Sequence, residues 1–580
     1  MQTVIRDGRD SRASDGVETR RFGRLRLSPH AIGRIAFVVA FLYLAVIVNP
    51  RFIRHMDLGI VLPDLNTAEP AISVALGMLL LGLARSLGRG KRRAWQLTVV
   101  ILAVQVVVHA RQHHWGMTLL SVVFLILLLI TRAQFVGKPD PSSARHVAAV
   151  GSSMLTVSFI VGWTALTLLA HQTHAAATGL DRVWQTVQGL VGVPSVLTNP
   201  EGRAQDVVYY LLLGLGLTTG LVTSAVAFRT ARGSHVRSDE EEAELRAVLR
   251  RGATADSLDY FATRDDRALA WSPNRGACIS YRVIAGTALA AGNPIGVGAQ
   301  WPDAIKAFLD ECREYAWIPA VVAASQEGAQ AWQKWGGLSV LEFGDEAILE
   351  RDEYTLEGRE MRNVRHAVTR AAKAGYTVRM GRLGDLDADL VRQLCDLAVR
   401  WRVGDVERGF SMGLGRFDAA RDPESLVVTA WLDGEPAALL VFVPWGRDGL
   451  SLDLMRRAPG SESGVNELMI SHLMEHMGEV GVQRVSLNFA AFRDAIERAE
   501  RIGAGPATRA WGNFLKTISK WSQADSLYRF NAKFRPTWNP RYIAYRSASG
   551  LPRLAIAYLD AEALVTLPRP IRRARGEVTA

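Results

Sequence analysis

Cysteine is scarce in this sequence. The 580 residues hold three, Cys278, Cys312 and Cys395. They are far apart and form no CxxC pair, which argues against a disulfide framework or a zinc cage; each reads as a small buried hydrophobe. Carboxylates are missing from the interior of the long apolar runs before about residue 230. An ion pathway through those runs would need them. Gly214, Gly216 and Gly220 contain a GxxxG, but no Lys-Ser/Thr follows. That excludes a phosphate loop and leaves tight helix packing. His472 and His476 have metal-ligand spacing with no third ligand nearby, so no metal and no cofactor are expected.

What the sequence has is apolar surface and basic charge. It is 49% hydrophobic with mean hydropathy +0.08, carries a net charge of +11 and has a pI near 9.7. Such a charge suits phosphate-bearing partners, nucleic acid or anionic lipid, and also suits the cytoplasmic flanks of membrane spans. The length calls for two or three domains. Residues 1–30 form an Arg-rich tail read as disordered and cytoplasmic. Residues 31–230 form a transmembrane domain with six expected spans at about 31–49, 70–87, 94–110, 115–131, 147–170 and 205–228. The connecting charges Arg89, Lys91, Arg92, Arg93, Arg132, Lys138, Arg145, Arg229, Arg232 and Arg237 fall on the side of the basic N-terminus. The positive-inside rule therefore puts everything after 230 in the cytoplasm. Between spans five and six, Val183, Val187, Leu190 and Val191 have helical spacing, which fits an amphipathic helix on the outer surface.

The second half reads as α/β. The pattern predicts a helix over 239–251 and strand-like runs at 258–262, 268–271, 277–284 and 286–291. A helix over 302–316 and strands near 319–324 and 338–349 complete a first lobe, 231–385. The second lobe, 386–550, repeats the plan: a helix near 386–402, strands 426–432, 437–443 and 449–455, a helix over 464–479 and a strand 483–489. This is the core order of a GNAT acyltransferase. The expected fold is an α-helical transmembrane domain plus a cytoplasmic α/β (α+β) tandem GNAT-like domain, with 551–580 as a basic C-terminal tail. The organising stretch is Gly449–Arg456. Leu450, Leu452 and Leu454 alternate with Ser451, Asp453 and Met455. An acid and a base, Asp453 and Arg456, sit at the strand's end, before a helix for which Ser461 and Ser463 are candidate caps.

Several longer motifs resemble a known family. They are Gly409-Phe410-Ser411-Met412-Gly413-Leu414-Gly415-Arg416, Phe442-Val443-Pro444-Trp445-Gly446, Ser451-Leu452-Asp453-Leu454-Met455-Arg456-Arg457, Gly464-Val465-Asn466-Glu467, Ser486-Leu487-Asn488-Phe489-Ala490, Glu500-Arg501-Ile502-Gly503-Ala504-Gly505 and Ser526–Pro536. Together they resemble the synthase domain of the aminoacyl-phosphatidylglycerol synthases, the multiple peptide resistance factors, and most closely its actinobacterial lysyl members. The resemblance covers roughly 240–550 and implies transfer of an amino acid from aminoacyl-tRNA to a hydroxyl of phosphatidylglycerol in the membrane. Two departures follow. Those actinobacterial enzymes often carry a fused lysyl-tRNA synthetase; here a separate synthetase acting in trans is expected. The largest members have more than six spans, which leaves flipping of the product open. A homo-oligomer is also left open.

The resemblance marks Asp453 as a functional position, orienting or deprotonating the hydroxyl or gripping the α-ammonium. Arg456 could hold Asp453 or a phosphate. Lys533 and Arg541 flank an expected turn at Pro536-Thr537-Trp538-Asn539-Pro540, where the resemblance implies contacts to lipid phosphate or the tRNA end. Glu467 reads equally as a helix-dipole partner or a substrate contact, and Asn488 as a strand-end structural residue or a substrate hydrogen bonder. Arg362, Arg365, Arg370 and Lys373 fall at helical spacings and form a candidate tRNA-binding face, with a solvated face as the plain alternative. Three rivals remain: an acyl-CoA transferase, a transporter whose soluble part regulates it, and a peptidoglycan-peptide transferase. The first needs an Arg/Gln-x-x-Gly-x-Gly/Ala turn, and Arg457-Ala458-Pro459-Gly460-Ser461-Glu462 fails at its last position.

Overall fold

The computed structural model describes residues 29–48, 79–84, 86–111, 115–135, 143–173, 178–191, 203–227, 237–251, 255–402, 409–491 and 524–563. Internal contacts divide the chain into two units, residues 1–135 with 149–225 and residues 136–148 with 226–580. The N-terminal tail, most of the span expected at 70–87 and the Glu500–Gly505 motif lie outside the described residues.

The first unit is helical: α1 (Pro29–Val48), α2 (Arg92–Arg111), α3 (Trp115–Ile130), most of α4 (Ser143–Thr173), α5 (Gly179–Val191) and α6 (Arg203–Ala227). Trp95 Nε1–H of α2 donates to the Leu128 carbonyl of α3 at 2.8 Å. Ser158 of α4 and Thr219 of α6 share a hydrogen bond of 2.8 Å. Gly216 lies against Leu190 of α5, where an added Cβ would collide with the Leu190 carbonyl oxygen. Gly214 and Gly220 have open space at that position, so the close approach belongs to Gly216 alone. Leu119, Ile130 and Leu168 turn outward and are more than half exposed, the reverse of a water-facing helix.

Among the described residues one helix, Ala149–Ala170, is long and apolar enough to cross a bilayer; Ala31–Phe41, Thr118–Ile130 and Val207–Gly220 are shorter apolar stretches. Of the six expected spans, one is thus matched by a helix of spanning length among the described residues, and most of the one expected at 70–87 lies outside them. The 16 residues of α3 reach about 24 Å at 1.5 Å per residue, short of a hydrocarbon layer of about 30 Å. In α2, Arg92, Arg93, Gln96 and Gln105 dilute the apolar run.

The second unit is built on a twelve-stranded mixed sheet. Its elements in chain order are α7 (Asp239–Arg251), β1 (Ala268–Trp271), β2 (Ala277–Ile284), β3 (Thr287–Ala291), β4 (Ile295–Gly296), α8 (Trp301–Glu314), β5 (Ile318–Ala324), α9 (Gln326–Gly336), β6 (Ser339–Glu350) and α10 (Arg362–Lys373). β7 (Thr377–Arg382), α11 (Ala388–Arg400), β8 (Leu426–Leu432), β9 (Glu435–Trp445), β10 (Gly449–Arg457), α12 (Val465–His476), β11 (Arg484–Ala491), α13 (Ala524–Ala532), β12 (Thr537–Tyr545) and α14 (Leu551–Ala561) follow. The strand order is β1-β2-β3-β5-β12-β6-β11-β10-β9-β8-β7, with β4 on β2.

One plan occurs twice. An antiparallel meander, β1 to β3, returns through α8 to β5, which pairs parallel with β3. A second meander, β7 to β10, returns through α12 to β11, parallel with β10. The closing strands are exchanged: β6 pairs with β11, and β12 inserts between β5 and β6. Apolar residues on both faces of the sheet are covered. Ile305, Phe308 and Trp332 of α8 and α9 meet Tyr281 and Val321. Leu554 and Tyr558 of α14 meet Leu289, Val322 and Phe343. Met469 and Leu473 of α12, with Val364 of α10, cover Leu440, Leu450 and Leu452. Leu394 of α11 covers Val427 and Val441.

Four expectations need correction. Residues 258–262 are not a strand; a 3-10 turn occupies Asp259–Thr263. Residues 536–540 are not a turn, because Thr537–Tyr545 is strand β12 despite Pro540. Leu551–Ala561, expected in a basic tail, is a helix whose Leu551, Leu554, Ala555 and Tyr558 are buried. Neither Ser461 nor Ser463 caps α12. The N-cap is Gly464 at φ +110, a left-handed conformation suited to glycine, and an added Cβ there would sit 2.6 Å from the Ala367 carbonyl oxygen.

Candidate active site

The parallel strands β10 and β11 pair only through Gly449, Leu450 and Ser451 against Arg484, Val485 and Ser486. Beyond that they part. β10 stays on β9, with a register shift between Leu452 and Leu454 that marks a β-bulge. β11 stays on β6, with a second shift between Ser486 and Phe489. Asp453 sits on the first bulge and Asn488 inside the second. Bulges re-aim side chains, which is why they recur beside functional sites.

Asp453 is half-buried. One of its carboxylate oxygens accepts the Leu414 backbone N–H at 2.8 Å. Leu414 ends a glycine-bearing loop that is clamped from outside its own stretch. Arg264 donates to the carbonyls of Gly409 and Gly413 at 2.6 and 2.9 Å. Arg267 donates to the Phe410 carbonyl and stacks over the Phe410 ring at 4.4 Å. The Glu562 carboxylate accepts the N–H groups of Phe410 and Ser411 at 2.8 and 3.1 Å. Burial, helped by Arg264, pushes the Arg267 pKa down to about 9. A charge kept in so dry a site holds the loop firmly, because its donors have no competing water.

Asn488 bridges the opening. Its side-chain N–H donates to the Leu452 carbonyl at 2.5 Å, and its φ of +68° is a left-handed conformation that asparagine tolerates better than most residues. Asn531 of α13 does the same for the other strand, donating to the Leu487 carbonyl at 3.2 Å. Asn466 of α12 donates to Met455 Sδ at 3.1 Å. Arg456 Nη1 donates to the Met455 carbonyl at 3.1 Å.

Glu467 and Lys533 meet each other. The Lys533 ammonium lies 2.8 Å from the Glu467 carboxylate, which is buried in the first turn of α12, while Lys533 remains partly open to solvent over the Phe530 ring. Arg541 does not join them. It is 3% exposed, and all five of its N–H donors are occupied. They are taken by the carboxylates of Asp256 and Glu346, Ser257 Oγ and the Ala323 carbonyl. The expectation that Arg541 binds lipid phosphate or the tRNA end is therefore corrected: no face of the guanidinium is left. Ser257 and Ser486 each donate to Glu346 at 2.5 Å, and Ser451 donates to the Ser257 carbonyl at 2.7 Å. This buried network pins β6, β11, β12 and β10 together at the last paired residues before the opening. Burial raises the pKa of Asp256 against the pull of Arg541. Burial, and then Asp256, raises that of Asp259 well above its usual range.

The four basic residues of α10 divide. Arg365 donates to the carbonyls of Leu356 and Gly358, and Arg370 to the carbonyl and hydroxyl of Ser463. Arg362 and Lys373 lie exposed on the same helix, whose opposite side buries Val364, Ala367 and Ala371. His472 and His476 stack at 4.2 Å with His476 Nδ1 on the His472 carbonyl. Cys278 and Cys312 are buried, with thiol pKa values raised by that burial.

Sequence reasoning missed Asn531, Asn466 and the Asp256–Arg541–Glu346 network. Asp256 and Arg541 are 285 residues apart, so no local spacing signals them. The Gly409–Gly413 motif was visible, but its clamps Arg264, Arg267 and Glu562 were not.

A family model described as phosphatidylglycerol lysyltransferase, C-terminal, matches residues 246–545, and one described as the transmembrane region of lysyl-tRNA synthetase matches residues 24–228. The lysylphosphatidylglycerol biosynthesis bifunctional protein LysX of Mycolicibacterium gilvum is 37% identical over 94% of this chain and 50% of its own length. LysX of Mycobacterium tuberculosis is 36% identical over 95% of this chain and 48% of its own. The chain thus spans about half the length of the curated relatives it matches. A solved structure of L-PGS from Bacillus licheniformis aligns at 20% identity and TM-score 0.49 over 57% of this chain and 97% of that one. With more than half of its residues matched by the first of those family models, the chain belongs to the phosphatidylglycerol lysyltransferase C-terminal family, joined to a region of transmembrane type.

Proposed function

We propose that the chain is a membrane-bound aminoacyltransferase. In this reading it moves an amino acid, lysine by analogy with the names of its relatives, from the ester of an aminoacyl-tRNA to a hydroxyl of phosphatidylglycerol. The observation that carries the reading is Asp453, a half-buried carboxylate on a bulge where two parallel strands part, with one oxygen fixed by the Leu414 amide.

The chemistry asks little more. The ester is already activated, so the enzyme must align the hydroxyl, assist loss of its proton and stabilise the tetrahedral oxyanion. Asp453 orients or deprotonates the hydroxyl. Arg456 and Lys533 hold phosphate, with Glu467 setting the position of the Lys533 ammonium. Arg541 acts here as a positioning residue behind the opening. Arg362 and Lys373, flanked by the tethered Arg365 and Arg370, meet tRNA phosphates in a sequence-blind, salt-sensitive way. The finer architecture belongs to the same proposal: two GNAT-like lobes meeting near residue 385, six spans, and a catalytic half on the cytoplasmic side. Adding lysine to an anionic lipid makes it cationic and lowers the attraction of the surface for cationic peptides.

Lipid mass spectrometry of cells expressing wild type and Asp453→Ala tests the reading. Lysyl-phosphatidylglycerol is expected in the wild type and reduced about 100-fold or more in the variant, the range lost with a positioned general base. No aminoacylated lipid in the wild type overturns it.

A further inference from the structure

Where β10 and β11 separate, the ladder is replaced by asparagine. Leu452 and Leu487 follow the last paired residues, Ser451 and Ser486, so their carbonyls line the two lips of the opening, about 5 Å apart at its start by ordinary strand spacing. Each carbonyl takes a side-chain amide N–H, Leu452 from Asn488 and Leu487 from Asn531. Those bonds settle which end of each amide is which, since a flipped amide would set oxygen against oxygen. The amide oxygens are then the free ends. Both are buried, and neither has a hydrogen-bond partner; the same holds for Asn466 Oδ1 on α12. Asn531 is fully buried and Asn488 is 8% exposed.

Buried acceptors without donors are uncommon because each costs desolvation that nothing returns. Two at one opening, Asn488 Oδ1 and Asn531 Oδ1, call for a group that brings donors and no acceptors. Phosphate and carboxylate bring only acceptors. A primary ammonium brings three N–H donors and no lone pair. We infer that the amide oxygens of Asn488 and Asn531 form a receptor for a primary ammonium of the transferred aminoacyl group, so that these asparagines select the donor substrate. The inference rests on the aminoacyl-transfer reading above and adds the part of the substrate that the opening recognises. A lysyl ester offers two such groups, the α- and the ε-ammonium, and the test separates them.

The full chain in phosphatidylglycerol vesicles is given lysyl-tRNA, Nα-acetyl-lysyl-tRNA or Nε-acetyl-lysyl-tRNA, and kcat/KM for lipid acylation is measured. The wild type is expected to discriminate against one acetylated donor on the order of tenfold to a hundredfold, the worth of hydrogen bonds to a charged group, and that donor identifies the bound ammonium. Asn488→Gly suits the left-handed backbone there and removes one amide oxygen. It should lose rate on the free-amine donor and keep it on the acetylated one, so that the preference collapses. Asn531→Leu should do the same. Equal loss on all three donors, or a wild type indifferent to both acetylations, overturns the inference and leaves lysyl transfer intact. A wild type that makes no lysyl lipid from the unmodified donor overturns the underlying reading as well.

Discussion

The two halves of the sheet carry the same plan and end differently. In the first, β3 and β5 stay paired through five residues, Thr287–Ala291 against Ile318–Val322. The groups just past their ends bond to one another: Asn293 donates to Ser325 Oγ at 2.8 Å and accepts the Ser325 N–H at 2.9 Å. In the second, β10 and β11 keep three pairs and then part around Asp453 and Asn488. A polar cavity of about 620 Å³ does adjoin the first ending, lined by Asp256, Asn293, Ser325, Arg447 and Arg484 among others, but the strands beneath it are closed. One topology thus yields a sealed end and an open one. The difference is made by two bulges and the side chains that take over the released carbonyls.

The sharpest way to break this comparison is at the seam. Arg541 lies on β12, a strand contributed after the second meander but paired to β5 of the first. Arg541→Met leaves Asp256 and Glu346 buried without their cation. Loss of one partner from a buried charge cluster costs about 3–5 kcal/mol. The melting temperature of the solubilised chain should fall sharply, and both halves should unfold together, because the exchanged strands make them one sheet. Two separated transitions, with only one shifted, would show that the halves fold independently.

A smaller effect tests the first half alone. Asp259 is buried beside Asp256, and its pKa is raised well above the ordinary carboxylate value. The folded state therefore binds a proton that the unfolded state releases near its ordinary pKa of about 3.9. Below that pKa both states are protonated and the group is neutral in the balance. Above it the penalty grows, and stability falls until pH passes the raised folded value. Asp259→Asn can still accept the Asp256 N–H and removes the titration. The variant should melt higher than wild type at pH 8, with the gap closing as pH falls toward 4. A gap that does not change with pH would show that Asp259 is not titrating.

Much of this was legible in the sequence because it is local. The alternation Leu450, Leu452, Leu454 finds β10, and the helical spacing of Ile305, Phe308 and Cys312 finds α8. β7 was missed because Thr377, Arg379 and Arg382 dilute its apolar pattern in an edge strand. β12 was missed because Pro540 and Asn539 are turn residues by composition, and only pairing with β6 from far along the chain overrides them. α14 reads as a tail until its apolar side, Leu551, Leu554 and Tyr558, is seen against Leu289 and Phe343. The site divides the same way. Asp453, Asn488 and Asn531 stand in motifs that can be quoted, but the role of Asn531 and the clamp Glu562 depend on contacts across 44 and 152 residues.

The smallest expected effect separates the open end from the basic helix that precedes the second meander. Arg362 and Lys373 of α10 are exposed, while Arg365 and Arg370 spend their donors on Leu356, Gly358 and Ser463. If α10 meets tRNA phosphates, each exposed cation adds about one counterion to the salt dependence of binding. Arg362→Ala with Lys373→Ala should weaken tRNA binding at low salt and reduce the slope of log K against log salt by about one to two. Transfer from bound tRNA should be unchanged, since a phosphate contact made by an exposed cation sets affinity and carries no reacting group. Binding measured by filter retention across a salt series gives the slope directly. An unchanged slope would make α10 a solvated surface, with the second half's activity confined to the gap between β10 and β11.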